Sequence, residues 1–282
     1  MKRTRTFRWV VLGLIGFYVL APMAASLQFS LEAGYQGRLS FTAYSQAVAE
    51  PGLAASLITS VKVAAGAMGI TLVLLVPTVI LVNLRFPRWR TVVDAVSLLP
   101  LGVPAVVIVL GVLGVYRSLP NIITGTPVIL ALVYVVLAMP YSYRAIDSGV
   151  RSLDLHTLVD ASRSMGAGWG KLFSRVLLPN MRSGILAAAF LTVALSLGEY
   201  AIASIMGFMT FPVWLVSVEG NNPYVAVALS IAALLVTWIL LVAIALIGSG
   251  RRRGSTGFGV GLVDAVDEAE TAAAAPTPDR VS

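Results

Sequence analysis

Residues 160–179 read DASRSMGAGWGKLFSRVLLP, and this stretch decides how the whole chain is read. Asp160-Ala161-Ser162 is followed after three residues by Gly166, after nine more by Val176, and after one more by Leu178-Pro179. The segment is polar and basic, yet long apolar runs flank it on both sides. Upstream, from Leu153 to Met165, the spacing of Leu155, Leu158, Val159 and Ser162 predicts a helix with these residues along one side. Asp154 stands where a side-chain oxygen caps the first turn and sets negative charge at the positive helix end. Gly166 then permits a left-handed turn that a β-carbon would penalise. Beyond it Trp169, Leu172, Phe173 and Val176 recur at three and four and predict a second helical face. Leu178-Pro179 is expected to close that helix, because proline cannot continue a hydrogen-bonded ladder but fits the first turn of the next one. The loop over 150–180 therefore reads as helix, turn, helix.

The glycines and lysine of residues 166–171 invite a phosphate-cradling reading, and they fail it. Four residues must separate the first glycine from the Gly-Lys pair, but Met165 holds that position, and Leu172 replaces the magnesium-binding Ser or Thr. No phosphate loop occurs elsewhere in the chain, so any nucleotide energy must come from another protein.

Only 12% of the 282 residues are charged and 58% are hydrophobic, whereas a soluble domain is ~25% charged. The chain is therefore read as one membrane domain. Six apolar runs are each long enough for a hydrocarbon core: about 9–29, 54–83, 94–116, 127–146, 183–206 and 224–249. The first follows Lys2, Arg3, Arg5 and Arg8 like a signal peptide, but it exceeds the ~7–15 apolar residues of a cleaved signal and reads as a retained span.

Basic residues are kept on the cytoplasmic side of a membrane. With the N-terminus inside, that side holds the N-terminal cluster, then Arg85, Arg88 and Arg90, then the basic residues of the 150–180 loop, then Arg251 to Arg253. The other side holds Arg38 and Arg117. Both termini and the loop are expected in the cytoplasm. Two outer segments exceed minimal connectors: 30–53, and 207–223 with Pro212, Trp214 and Glu219, the second a candidate for a lid dipping back into the membrane. The net charge of +7 does not point to nucleic acid, since Lys and Arg sit at the ends of apolar runs and not along one face. With no cysteine and a single histidine, His156, no disulfide, thiolate or metal constellation is expected. From about Gly254 an acidic, Ala- and Pro-rich segment is too polar to order itself, so 1–249 is read as the membrane domain and 250–282 as a disordered tail.

The register of residues 160–179 resembles the coupling loop of permease subunits of ATP-binding-cassette importers. That family's pattern is Glu-Ala-Ala, three residues, Gly, nine residues, Ile, one residue, Leu-Pro. Gly166 and Leu178-Pro179 match directly, while Asp160, Ser162 and Val176 are conservative departures, with no insertion needed. Ser196-Leu197-Gly198-Glu199-Tyr200 resembles the branch handling polyamines, ferric iron, thiamine, phosphonates and sulfate-like anions. The resemblance implies an all-α integral membrane protein of the type I importer permease fold, with six transmembrane helices and a cytoplasmic coupling loop. Asp160, Ala161, Ser162, Gly166, Val176, Leu178 and Pro179 would carry contact with a separate ATPase, which binds the ATP. The chain would hold no cofactor and catalyse no covalent step. Expected partners are ATPase subunits, a second permease that is usually a different chain, and an external substrate-binding protein in a cell membrane. Transport would follow alternating access, with a polyamine as the best substrate guess.

Charges inside the runs are few and costly in lipid unless paired or hydrated. Lys62 lies about nine residues and Glu199 about seven from the outer ends of their runs, counted at ~1.5 Å per residue. Glu199 either pairs with Lys62 or lines the path, and the sequence leaves both open. Pro100, Pro104 and Pro140 are expected to kink helices, and Gly111 with Gly114, or Gly66 with Gly69, to bring helices close. A self-sufficient secondary transporter or channel would need more intramembrane ionisable residues or repeated broken helices than are seen here.

Overall fold

The computed structural model describes residues 2–32, 39–116 and 126–249, with side chains at 7–32, 39–115 and 126–239. Arg38, Arg117, Arg251 to Arg253 and the expected tail lie outside the described residues. The described chain is helical apart from turns and one isolated backbone bridge between Glu32 and Leu39. Its described residues divide into two compact units, one within 2–29 with 227–249 and one within 30–226.

In the first unit lie most of α1 (Lys2–Leu31) and α12 (Pro223–Ser249). Phe7, Trp9, Leu14, Phe17 and Tyr18 of α1 are exposed, as suits a helix whose solvent is hydrocarbon.

The second unit runs through α2 (Thr42–Ala49), α3 (Leu53–Arg85), α4 (Arg90–Gly102), α5 (Ala105–Tyr116) and α6 (Val128–Arg151). It continues with α7 (Leu155–Ser164), α8 (Trp169–Asn180), α9 (Arg182–Gly198), α10 (Ala201–Ile205) and α11 (Phe211–Asn221). Three helices among the described residues cross a hydrocarbon core by length and composition without a break: Phe7–Leu31, Leu53–Arg85 and Val128–Arg151. The 33 residues of α3 reach about 50 Å at ~1.5 Å each, beyond the ~30 Å core.

All six expected runs are helical, but two are broken. The third splits into α4 and α5, which meet at 100°. Val103 is extended there (φ −104°, ψ 120°), the conformation that the Pro104 ring favours in the residue before it, and the helix ends at Gly102. The fifth ends at Gly198 and restarts as α10 after Glu199 and Tyr200. Pro140 stays inside a continuous α6.

α3, α6 and α9 pack against one another, with α4 on α6, α5 on α10 and α11 on α3. The segment 207–223, expected on the outer side, contains the helix α11 and is not a bare connector. In it Trp214 is buried, its Nε1–H donates to the Pro51 carbonyl at 3.0 Å, and the Phe211 N–H donates to Ser60 Oγ at 2.7 Å.

Candidate functional site: the 150–180 loop and its seat

α7 starts as its sequence dictates. Asp154 accepts from the Thr157 N–H at 3.3 Å and from Thr157 Oγ1 at 2.7 Å, which caps the first turn. The Thr157 hydroxyl, and then its N–H, hold the Asp154 carboxyl below the ordinary carboxylate range. A carboxyl depressed in the folded state stabilises it above the unfolded value, so this cap persists at neutral pH and is lost only as pH falls through the lowered value.

α7 ends in a Schellman turn. Gly166 has φ +77°, its N–H donates to the Arg163 carbonyl at 2.9 Å, and the Ala167 N–H donates to the Ser162 carbonyl at 3.0 Å. The Arg163 guanidinium carbon lies 5.0 Å from the centre of the Trp169 ring, a cation–π contact that staples the two sides of the turn.

The second loop helix departs from regular α geometry. Residues Phe173–Leu177 form a π-turn, seen in the Leu178 N–H donating to the Phe173 carbonyl five residues back. The wider turn shifts the buried face, so Leu172 and Leu177 are both 1% exposed, while Phe173 and Val176 are only partly buried. Trp169, expected on that buried face, is 59% exposed. Nor does Leu178-Pro179 close the helix: Pro179 sits inside its last turn, and the chain turns by 74° across Met181. The π-turn includes Arg175, whose carbonyl the Pro179 ring would meet in a regular α-helix, which accounts for the local widening.

The loop is seated on the bundle by one continuous apolar cluster. Leu155 and Val159 of α7 and Leu172 and Leu177 of α8 pack with Val79 and Ile80 of α3 and Tyr143 and Ile146 of α6. Of the residues singled out by their register, Ser162 is buried with its hydroxyl donating to the Leu158 carbonyl at 2.7 Å, and Val176 and Leu178 are partly buried. Asp160, Ala161, Gly166 and Pro179 face outward. Met165 is 80% exposed, so with Trp169 the loop leaves two large apolar side chains uncovered.

At the same end of α6, Asp147 is buried and shared. It accepts from Arg151 Nε at 2.7 Å, from Asn83 Nδ2 at 3.2 Å and from Arg90 Nη2 at 3.3 Å. Only the carboxylate is buried; Arg90 and Arg151 keep part of their side chains exposed.

Glu199 occupies the break between α9 and α10. Its carboxylate accepts from the Ile202 N–H at 3.0 Å, the Ala203 N–H at 3.3 Å and the hydroxyl of the buried Tyr134 at 3.1 Å. It therefore caps α10, whose free N–H groups present partial positive charge. The structure does not bring Lys62 to it. Lys62 is exposed on α3, and the ion pairs formed among the described residues are those of Asp147 with Arg90 and Arg151.

Residues 76–252 match the model of a protein family described as the binding-protein-dependent transport system inner membrane component. The chain belongs to this family. This inner-membrane transport component is also 32% identical over 84 residues to the spermidine/putrescine transport system permease protein PotB of Haemophilus influenzae, a match covering 30% of this chain and 28% of that one. The permease thus spans less than a third of the relative's length in that match. The family stretch contains the 150–180 loop, its seat on α6 and the Glu199 break, while most of α3 precedes it.

Three parts of the permease escaped sequence reading. Asp147 fell one residue beyond the assigned end of an apolar run, and its partner Asn83 carries no charge to attract notice. Tyr134 read as one more apolar position. The close helix crossing is at Gly149 and Gly184, where a β-carbon on Gly184 would lie 2.8 Å from the Ala145 carbonyl oxygen and 3.0 Å from Gly149 Cα. The glycines expected there do not serve it: Gly69, Gly111 and Gly114 face open space, and a β-carbon on Gly66 would meet Ala131 at an ordinary 3.5 Å. Gly149 lies beyond the end of the fourth run and Gly184 within the fifth, so no spacing rule links them.

Proposed function

We propose that this permease forms half of the pathway of an ATP-driven importer, with its 150–180 loop seated in a groove of a separate ATPase subunit. The observation that carries this reading is the loop's two-sided construction. Its inner face shares one apolar cluster with α3 and α6, while Met165, Trp169, Arg163, Lys171 and Arg175 are all exposed on the loop, with Arg163 stacked on Trp169. Such a loop passes a push from a gripping partner into the spans, and the chain has no phosphate loop to generate that push. ATP closing two ATPase subunits would draw two such loops together and turn the pathway outward; hydrolysis would reset it. A second permease and an external binding protein complete this scheme.

Gly166→Val tests the docking. Nothing lies within 4 Å of a β-carbon at this position, so the cost comes from the backbone at φ +77° and not from a clash. Holding a β-branched residue there costs on the order of 1–3 kcal/mol. The variant should reach the membrane normally yet copurify with the ATPase roughly tenfold less well, at about 1.4 kcal/mol per decade. Unchanged copurification and unchanged ATP-driven uptake would refute the loop's role.

The orientation is tested by single cysteines in a chain that has none of its own. Ser45 and Ser164 are both exposed. In sealed cells an impermeant thiol reagent should label Ser45→Cys and leave Ser164→Cys unlabelled until the membrane is opened. Labelling of Ser164→Cys from outside would place the loop away from any cytoplasmic ATPase.

A polyamine is the proposed substrate class, supported by the likeness to a permease named for spermidine and putrescine. Glu199 does not strengthen it, since its carboxylate is occupied by α10 and Tyr134. Uptake of labelled spermidine by the assembled transporter is the direct measurement.

A further inference from the structure

We infer that the Asp147 carboxylate is a positioning joint that makes α4 travel with the 150–180 loop, an inference that rests on the loop being the moving part. Asp147 lies one turn before the end of α6, and Arg151, on which it closes an i,i+4 ion pair at 2.7 Å, is the last helical residue before the loop. Across the packing gap the same carboxylate holds Arg90, the first residue of α4, and Asn83 near the end of α3. One buried anion thus fixes the ends of three helices at the point where the loop leaves the bundle.

Beyond the joint, α4 packs along α6 through mostly half-buried side chains. Ser97 is its only fully buried residue, and Val93 alone of its apolar side chains packs on the loop's cluster. An apolar contact is non-directional and allows a helix to slide, whereas a directed ion pair sets its register. α4 in turn leads through the 100° bend to α5, which packs on α10, the element capped by Glu199. Movement delivered at Asp147 therefore has a route to the break in the fifth run.

The joint also has slack on one side. Arg151 grips at 2.7 Å with two nitrogens, while Arg90 reaches with Nη2 alone, at 3.3 and 3.5 Å, and its Nε is buried without a hydrogen-bond partner. A small approach of α4 to α6 would bring that idle Nε onto the carboxylate and convert a single-nitrogen contact into a fork. The structure holds the looser form.

The experiment uses the cysteine-free full chain in nanodiscs, with spin labels at Val96→Cys on α4 and Ser164→Cys on α7, both exposed positions. The parent should give one narrow distance distribution. Arg90→Gln leaves Arg151 and Asn83 on Asp147 and should at least double the width, while Arg90→Lys, able to supply one nitrogen, should restore it. Equal widths in parent and Arg90→Gln, or a failure of lysine to restore a broadened one, would overturn the joint; so would an Arg90→Gln chain that loses thermal stability with no change in width. Because the distance is read on the permease alone, a chain that never copurifies with an ATPase would defeat the docking proposal and leave this measurement standing.

Discussion

Gly184→Val is expected to lose assembly of the membrane domain. The added β-carbon would sit 2.8 Å from the Ala145 carbonyl oxygen and 3.0 Å from Gly149 Cα, both backbone atoms that no rotamer change can move. Between membrane helices the attraction is packing itself, since lipid chains are as apolar as the side chains, so a forced separation of α6 from α9 is not repaid elsewhere. Overpacking typically costs 1–3 kcal/mol, and a backbone collision belongs at or above the top of that range, about 3 kcal/mol or a hundredfold in the folded ratio. Gly149→Ala, meeting Gly184 Cα at 3.0 Å, should be milder. Gly69→Ala and Gly111→Ala face open space and should be neutral. The measurement is the yield and thermal midpoint of monodisperse protein in detergent. A Gly184→Val permease with parental midpoint would show that the crossing is not as close as described.

Glu199→Ala should be nearly as damaging, for a different reason. It removes the acceptor of the Ile202 and Ala203 N–H groups and of the Tyr134 hydroxyl, on three residues that are themselves buried. Each unsatisfied buried group costs about 1–3 kcal/mol, and an overall loss of about 3 kcal/mol is expected. Tyr134→Phe alone should cost about 1 kcal/mol, and much less in the Glu199→Ala background, because the two groups share one contact. Lys62→Gln should not rescue Glu199→Ala, since Lys62 is exposed and makes no ion pair with Glu199. Rescue by Lys62→Gln would reinstate a pairing that the structure does not contain. Full stability with lost uptake in Glu199→Ala would make the residue part of the path.

Local features of the loop were legible because their causes are local. A cap needs one acceptor at one position, and Asp154 occupies it; a left-handed C-terminus needs a glycine, and Gly166 supplies φ +77°. The face of α7 followed from spacing, with Leu155, Val159 and Ser162 all buried. The face of α8 did not, because α spacing presumes 3.6 residues per turn and the π-turn at Phe173–Leu177 inserts an extra residue ahead of Pro179. Val176 was thereby displaced from the buried position by Leu177, and Trp169 was left on the surface.

By itself the sequence determined that this is a helical membrane protein, where its runs lie, and that residues 150–180 form a capped helix, a turn and a second helix. Those properties depend on composition, periodicity and single-residue backbone preferences, which act within a few residues. Only the tertiary structure decided which carboxylate meets which donor. Asp147 lies 64 residues from Asn83 and 57 from Arg90, Glu199 lies 65 from Tyr134, and all three distances in space close only because α3, α4, α6 and α9 pack as they do. Charge and depth alone made Lys62 a fair partner for Glu199, but a carboxylate beside a helix break finds backbone N–H groups already in place and needs no distant ammonium.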